Sequence, residues 1–154
     1  MGFMEEALIE AREALAAGEL PVGCVIVKEG RVIARGRNCR ETLNDPTGHA
    51  EIAAIRNAAA ALGDWRLTGC DMYVTLEPCP MCAGAISQAR ISRVFFGAYD
   101  PAQGCAGSVY RIPEDPAFGH FCRCEGGIME EECRGLLDEF FQSARRRLRR
   151  TLWR

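Results

Sequence analysis

A chain of 154 residues, 48% hydrophobic and 26% charged, has room for one domain with a sizeable core and the composition of a soluble globular protein. No apolar run approaches the roughly 18 residues that span a bilayer, and the N-terminal MGFMEEALIEAREAL carries acids where a signal peptide carries bases. Membrane and exported classes are therefore set aside, and a cytoplasmic location is expected. The formal charge of −2 is uneven: 145-RRRLRRTLWR-154 holds six arginines and no acid, which leaves residues 1–144 at −8.

From the N-terminus, residues 3–17 place Met4, Leu8, Ala11 and Leu15 at a helical period, and Gly18 is a natural stop. Residues 22–38, VGCVIVKEGRVIARGRN, read as a hairpin around Glu29-Gly30. Residues 39–48 are polar, contain Asp45-Pro46 and read as a loop. A helix follows over 49–62, ended by Gly63, then a strand over 71–76 and a helix over 80–89. Strand 93–98 leads into a long loop and a short strand around 121–124. A long helix over 129–150 begins with acids and ends in arginines. Helices alternating with strands predict a single three-layer α/β domain over 1–154, and the opening hairpin makes its sheet mixed.

The nine cysteines are odd in number and irregular in spacing, so no disulfide framework is expected, and most read as small buried hydrophobes. Cys122 and Cys124 share one face if they lie on a strand. Only Cys79 and Cys82 have a spacing that carries chemistry. Pro78 and Pro80 suit the start of a helix, where the positive dipole end favours thiolate. On its own this C-x-x-C fits a metal or a redox couple.

The second stretch is 49-HAE-51. Alone, it reads as a helix start with an acid that suits the dipole. With the cysteines, His49, Cys79 and Cys82 make the three protein ligands of an open catalytic zinc site, and Glu51 is left over as a proton shuttle. H-x-E followed by P-C-x-x-C is the signature of zinc-dependent nucleobase deaminases, so this step is a recognition. A redox pair explains neither His49 nor Glu51.

Over about residues 4–147 the chain closely resembles the bacterial tRNA-specific adenosine deaminases, members of the zinc-dependent cytidine and deoxycytidylate deaminase superfamily. The stretches that carry this are PVGCVIV at 21–27, DPTGHAEI at 45–52, VTLEPCPMCAGA at 74–85, RISRVFFGAYD at 90–100 and GCAGS at 104–108. The resemblance implies a cytidine-deaminase-like α/β/α fold and one zinc per chain on His49, Cys79 and Cys82. It implies hydrolysis of the wobble adenosine of an arginine tRNA anticodon to inosine, with Glu51 shuttling protons. It places Asn38 on the flipped purine and Asp100 on the anticodon loop, and makes the working unit a homodimer. Three positions depart from the family pattern: 100-DPAQGC-105 lacks the usual lysine, Gly119 replaces the Asn before His120, and Gly48 stands where alanine is usual. The expected alternative is a free-base or nucleotide deaminase of the guanine or cytosine type, or else a non-catalytic zinc-bearing subunit. For the tail two readings stand: Arg145, Arg146, Arg147, Arg149 and Arg150 contact RNA phosphates, or they are a solvated helix end.

Overall fold

The structure, a computed structural model, describes residues 2–152. Trp153 and Arg154, which close the basic segment, lie outside them. Strands β1 (Gly23–Lys28) and β2 (Arg31–Arg37) form the hairpin. Its turn has φ of 51° at Glu29 and 74° at Gly30. Left-handed backbone at both central positions matches the twist of the flanking strands, as in a type I′ turn.

Strands β3 (Cys70–Leu76), β4 (Arg93–Ala98) and β5 (Arg123–Glu125) complete a five-stranded sheet in the order β2-β1-β3-β4-β5. β1 is antiparallel to both neighbours, while β3, β4 and β5 run parallel. The sheet is mixed, as the hairpin implies. β5 starts later than the strand expected over 121–124, because the Cys122 N–H is committed to the Pro113 carbonyl at 2.8 Å.

The helices are α1 (Phe3–Ala16), α2 (Arg40–Leu43), α3 (Ala50–Leu62), α4 (Pro80–Gln88) and α5 (Glu130–Leu152). Close approaches show which face each covers. A Cβ on Gly23 would meet the α1 backbone at Ala7, and one on Gly36 would meet the α3 backbone at Ala50 and Ala54. Gly36 pairs with Cys24, the next residue after Gly23, and neighbours along a strand face opposite ways. So α1 and α3 cover opposite faces. On the α1 face, Arg35 of β2 pairs with Glu6 at 2.6 Å, and Phe3, Tyr73 and Phe95 form an aromatic row. Cys133 of α5 packs on Gly97, two residues along from Phe95, so α5 shares that side. α4 lies against α3. The core between the layers includes Leu8, Ile26, Met72, Val74, Ile86, Val94 and Phe96.

Among the described residues the new α-helix is α2, inside the segment read as a loop, and two short 3-10 turns, Ile112–Glu114 and Pro116–Phe118, stand in the long loop before β5. In α2 the buried Glu19 carboxylate accepts the N–H groups of Glu41 at 2.6 Å and Thr42 at 2.9 Å. This cap comes from more than 20 residues away, so no local pattern announces it. Only Cys133 and Leu137 of α5 are buried, and its C-terminal turns stand clear of the core. No helix of the described residues is long and apolar enough to cross a membrane.

Candidate metal centre and substrate cavity

His49 occupies the N-cap of α3 in extended backbone. The turn before it is built by Asp45, whose Oδ1 accepts the Thr47 N–H at 2.9 Å and hydroxyl at 2.7 Å. The Cys39 N–H ties the loop shut on the Gly48 carbonyl at 2.8 Å. Cys79 occupies the N-cap of α4, Pro80 takes the first helical position, and Cys82 lies in the first turn. The two helix starts thus bring three donor atoms together.

His49 Nδ1 lies 3.5 Å from Cys79 Sγ and 3.5 Å from Cys82 Sγ, with all three donors within 4.8 Å of one another. Donors at usual Zn–N and Zn–S lengths on a tetrahedral ion stand about 3.5 Å apart. The donor spacing and the N,S,S chemistry therefore fit zinc. A hydrogen bond from Cys82, then His49, brings the Cys79 thiol down to about 4. The same sharing with Cys79, with burial, pushes the Cys82 thiol up. The bond to Cys79 raises His49 against its own burial. Glu51, two residues into α3 and 4% exposed, is pushed up to about 7 by burial.

Beside the donors is a cavity of about 230 Å³, lined by His49, Glu51 and Cys79 together with Asn38, Arg40, Asp100 and Gln103. It is smaller than the roughly 300–1,000 Å³ of drug-sized sites. Asn38 follows β2 directly and its N–H donates to the Val22 carbonyl at 3.1 Å. Its side-chain Oδ1 is buried without a partner among the described residues. Asp100 Oδ1 accepts the N–H groups of Ala102 and Gln103 at 3.1 and 3.2 Å, which shapes the turn it stands on.

The structure thus brings six sequence-predicted residues to one place: His49, Cys79, Cys82, Glu51, Asn38 and Asp100. The tail is elsewhere. Arg146, Arg147 and Arg150 line a separate groove of about 440 Å³ with Leu15 and Gly18, and Arg145 and Arg149 do not line it. Groove and cavity are close along the chain, since Leu20 lines the cavity. Sequence reasoning missed Arg40 and Gln103 in the lining, and the buried carboxylates Glu19 and Glu77 behind it. Glu77 stood inside the quoted E-P-C-P-M-C run, which was a usable signal; Glu19 had none.

Two of the family departures have a structural reading. Gly119 has φ 72°, the left-handed region that glycine and asparagine share, so the backbone tolerates the exchange. A Cβ on Gly48 would stand 3.0 Å from the Asp45 carbonyl and 3.1 Å from Arg40, a loop closed tightly around glycine.

Residues 1–98 match the family model of the cytidine and deoxycytidylate deaminase zinc-binding region. The chain is 51% identical over 143 residues to the tRNA-specific adenosine deaminase of Agrobacterium fabrum (strain C58 / ATCC 33970), covering 93% of this chain and 94% of that one. A structure from a study of A-to-I editing by tRNA:A34 deaminases at the wobble position of transfer RNA matches with a TM-score of 0.84 at 52% identity, covering 88% of this chain and 98% of that one. The guanine deaminase of Bacillus subtilis matches at a TM-score of 0.60 and 48% identity, covering 63% of this chain and 62% of that one. A match that runs nearly end to end in both sequence and backbone places the chain in the zinc-binding cytidine and deoxycytidylate deaminase family, among the tRNA-specific adenosine deaminases.

Proposed function

We propose that this protein converts adenosine to inosine at the wobble position of a tRNA anticodon, holding one zinc per chain on His49, Cys79 and Cys82. The observation that carries this reading is Asn38 Oδ1. A fully buried acceptor without a partner is costly unless a ligand satisfies it, and it lines the same cavity as Glu51 and the donor triad. An amide offers the donor and the acceptor that a purine edge requires.

Bound zinc supplies a Lewis acid that lowers the pKa of water toward neutrality. Glu51 takes one proton from the attacking water and passes it to the ring nitrogen, then takes the proton left on the added hydroxyl and passes it to the amine, which leaves as ammonia as the carbonyl forms. The place of Glu51 in the cavity wall beside the donor triad, buried but not needed as a ligand, supports this role. Asn38 orients the base, and Asp100 meets the anticodon loop from the cavity wall. The arginines at 145, 146, 147, 149 and 150 meet phosphates of the stem. The groove holding three of them, a short step along the chain from the cavity, supports that assignment.

The same reading makes the active unit a cytoplasmic homodimer acting on an arginine tRNA. The exposed Val109, Tyr110, Phe118 and Phe121, all on the β4–β5 connection, support a partner surface there.

The test is incubation with an arginine anticodon stem-loop and, separately, with free adenine, cytosine and guanine. Inosine should form in the stem-loop, with no ammonia released from the free bases. Ammonia from guanine without inosine would replace this reading by the guanine deaminase one, which the shorter and looser match to that enzyme favours less.

A further inference from the structure

We propose that two buried carboxylates, Glu19 and Glu77, are positioning residues that strap two walls of the substrate cavity into place without touching substrate. The proposal rests on the deaminase reading for its kinetic test and on geometry alone for its exchange test.

Both side chains are almost wholly buried, at 1% and 2% exposure, and neither is in an ion pair among the described residues. A carboxylate kept in the interior needs its lone pairs filled. Here backbone N–H groups fill them. Glu77 Oε1 accepts the Asp100 N–H at 3.0 Å and the Ser108 hydroxyl, and Oε2 accepts the N–H groups of Ala106 at 3.1 Å and Ser108 at 2.9 Å. The 100–108 loop is wrapped around this one group. Gly104 closes the wrap so tightly that a Cβ there would fall 2.3 Å from the carboxyl carbon. From this loop Asp100 and Gln103 reach the cavity. Glu77 also stands two residues before Cys79, and the Cys105 N–H donates to the Pro78 carbonyl at 2.8 Å, so the substrate wall is indexed to the metal-ligand segment.

Glu19 does the same for the second wall. It caps α2 through Glu41 and Thr42, and α2 begins with Arg40, which lines the cavity two residues after Asn38. Each carboxylate therefore holds one wall from behind, and neither lines the cavity itself.

The test uses zinc-loaded Glu77→Gln, Glu19→Gln and Ser108→Ala. An amide in place of either carboxylate turns a donor toward N–H groups and loses a charge-assisted bond. KM for the stem-loop should rise about tenfold in both Gln variants, with kcat within a few-fold and zinc content unchanged. Ser108→Ala removes a single bond to Glu77 and should show a smaller rise in KM of the same kind. Amide exchange should quicken crosswise: at Ala106 and Ser108 in Glu77→Gln but not at Glu41 and Thr42, and the reverse in Glu19→Gln. Unchanged KM in folded, zinc-loaded variants, or loss of zinc, would overturn the positioning role. If Glu77→Gln fails to fold, unchanged KM in Ser108→Ala overturns it. If the wild-type protein leaves the stem-loop untouched, the deaminase reading fails, and the exchange pattern alone decides whether the two straps exist.

Discussion

Gly36 of β2 lies directly against Ala50 of α3: a Cβ on the glycine would stand 2.4 Å from the Ala50 carbonyl oxygen and 2.5 Å from the Ala54 nitrogen. Ala50 stands between His49 and Glu51, so this contact sets the depth at which the metal donor and the acid enter the site. Gly36→Ala must push α3 off the sheet. It should lower stability by about 1–3 kcal/mol, the usual cost of overpacking, and weaken zinc retention with it. Denaturant melts with metal analysis check this; an unchanged midpoint would show that the layers separate freely.

Zinc should bind at one ion per chain and be absent from the Cys79→Ala, Cys82→Ala double variant. Cys82 holds its proton at neutral pH because Cys79 shares it and burial raises it. Metal binding must displace that proton, so affinity should fall as pH falls. Calorimetric titration in buffers of different ionisation enthalpy should show about one or more protons released per zinc at pH 7. Binding without proton release would contradict the thiol arrangement.

Glu51→Ala removes the proton carrier but no ligand. Zinc should be retained and deamination should drop by roughly 10²–10⁴-fold; activity within a few-fold of wild type would remove Glu51 from its role.

The same residue predicts a pH effect in chelated protein. Glu51 is raised from 4.5 to about 7 on folding, so the native state holds a proton that the unfolded chain has released. Stability should therefore fall as pH rises through that window. Glu51→Gln should make the metal-free protein more stable at pH 8 by on the order of 1–3 kcal/mol, with the gain vanishing near pH 4.5. Thermal melts of the two chelated proteins across pH test the sign.

Asn38→Ala should reduce kcat/KM on the stem-loop by about 1–3 kcal/mol in transition-state terms, because the base edge is left without its partner. Zinc content should not change. Unaltered kcat/KM would show that Asn38 does not read the base.

Replacing Arg145, Arg146, Arg147, Arg149 and Arg150 with Gln should raise stem-loop KM, leave kcat nearly unchanged, and flatten the salt dependence of binding by up to about 0.7–0.9 per lost phosphate contact. Arg146, Arg147 and Arg150, which line the groove, should account for most of it. An unmoved salt slope would leave the tail as a solvated helix end.

The sequence alone determined what is local or periodic. The 3.6-residue repeat over α1, the Glu29-Gly30 turn and the prolines at the start of α4 depend on neighbours in the chain, and each was legible to within a residue or two. The reactive set was legible by recognition and not by spacing alone: each pair leaves other readings open, and only H-x-E together with P-C-x-x-C singles out His49, Glu51, Cys79 and Cys82. The tertiary structure decided what couples distant segments. It alone brings His49 Nδ1 to 3.5 Å from two sulfurs 30 and 33 residues away. It leaves Asn38 Oδ1 without a partner, and separates the arginine groove from the cavity. It also turned a polar loop into α2 and a glutamate beside a motif into the peg of another loop. Glu19 and Glu77 show why such features escape a sequence: a buried carboxylate is stabilised by whichever N–H groups the fold carries to it, and nothing within a few residues of either one records which groups those are.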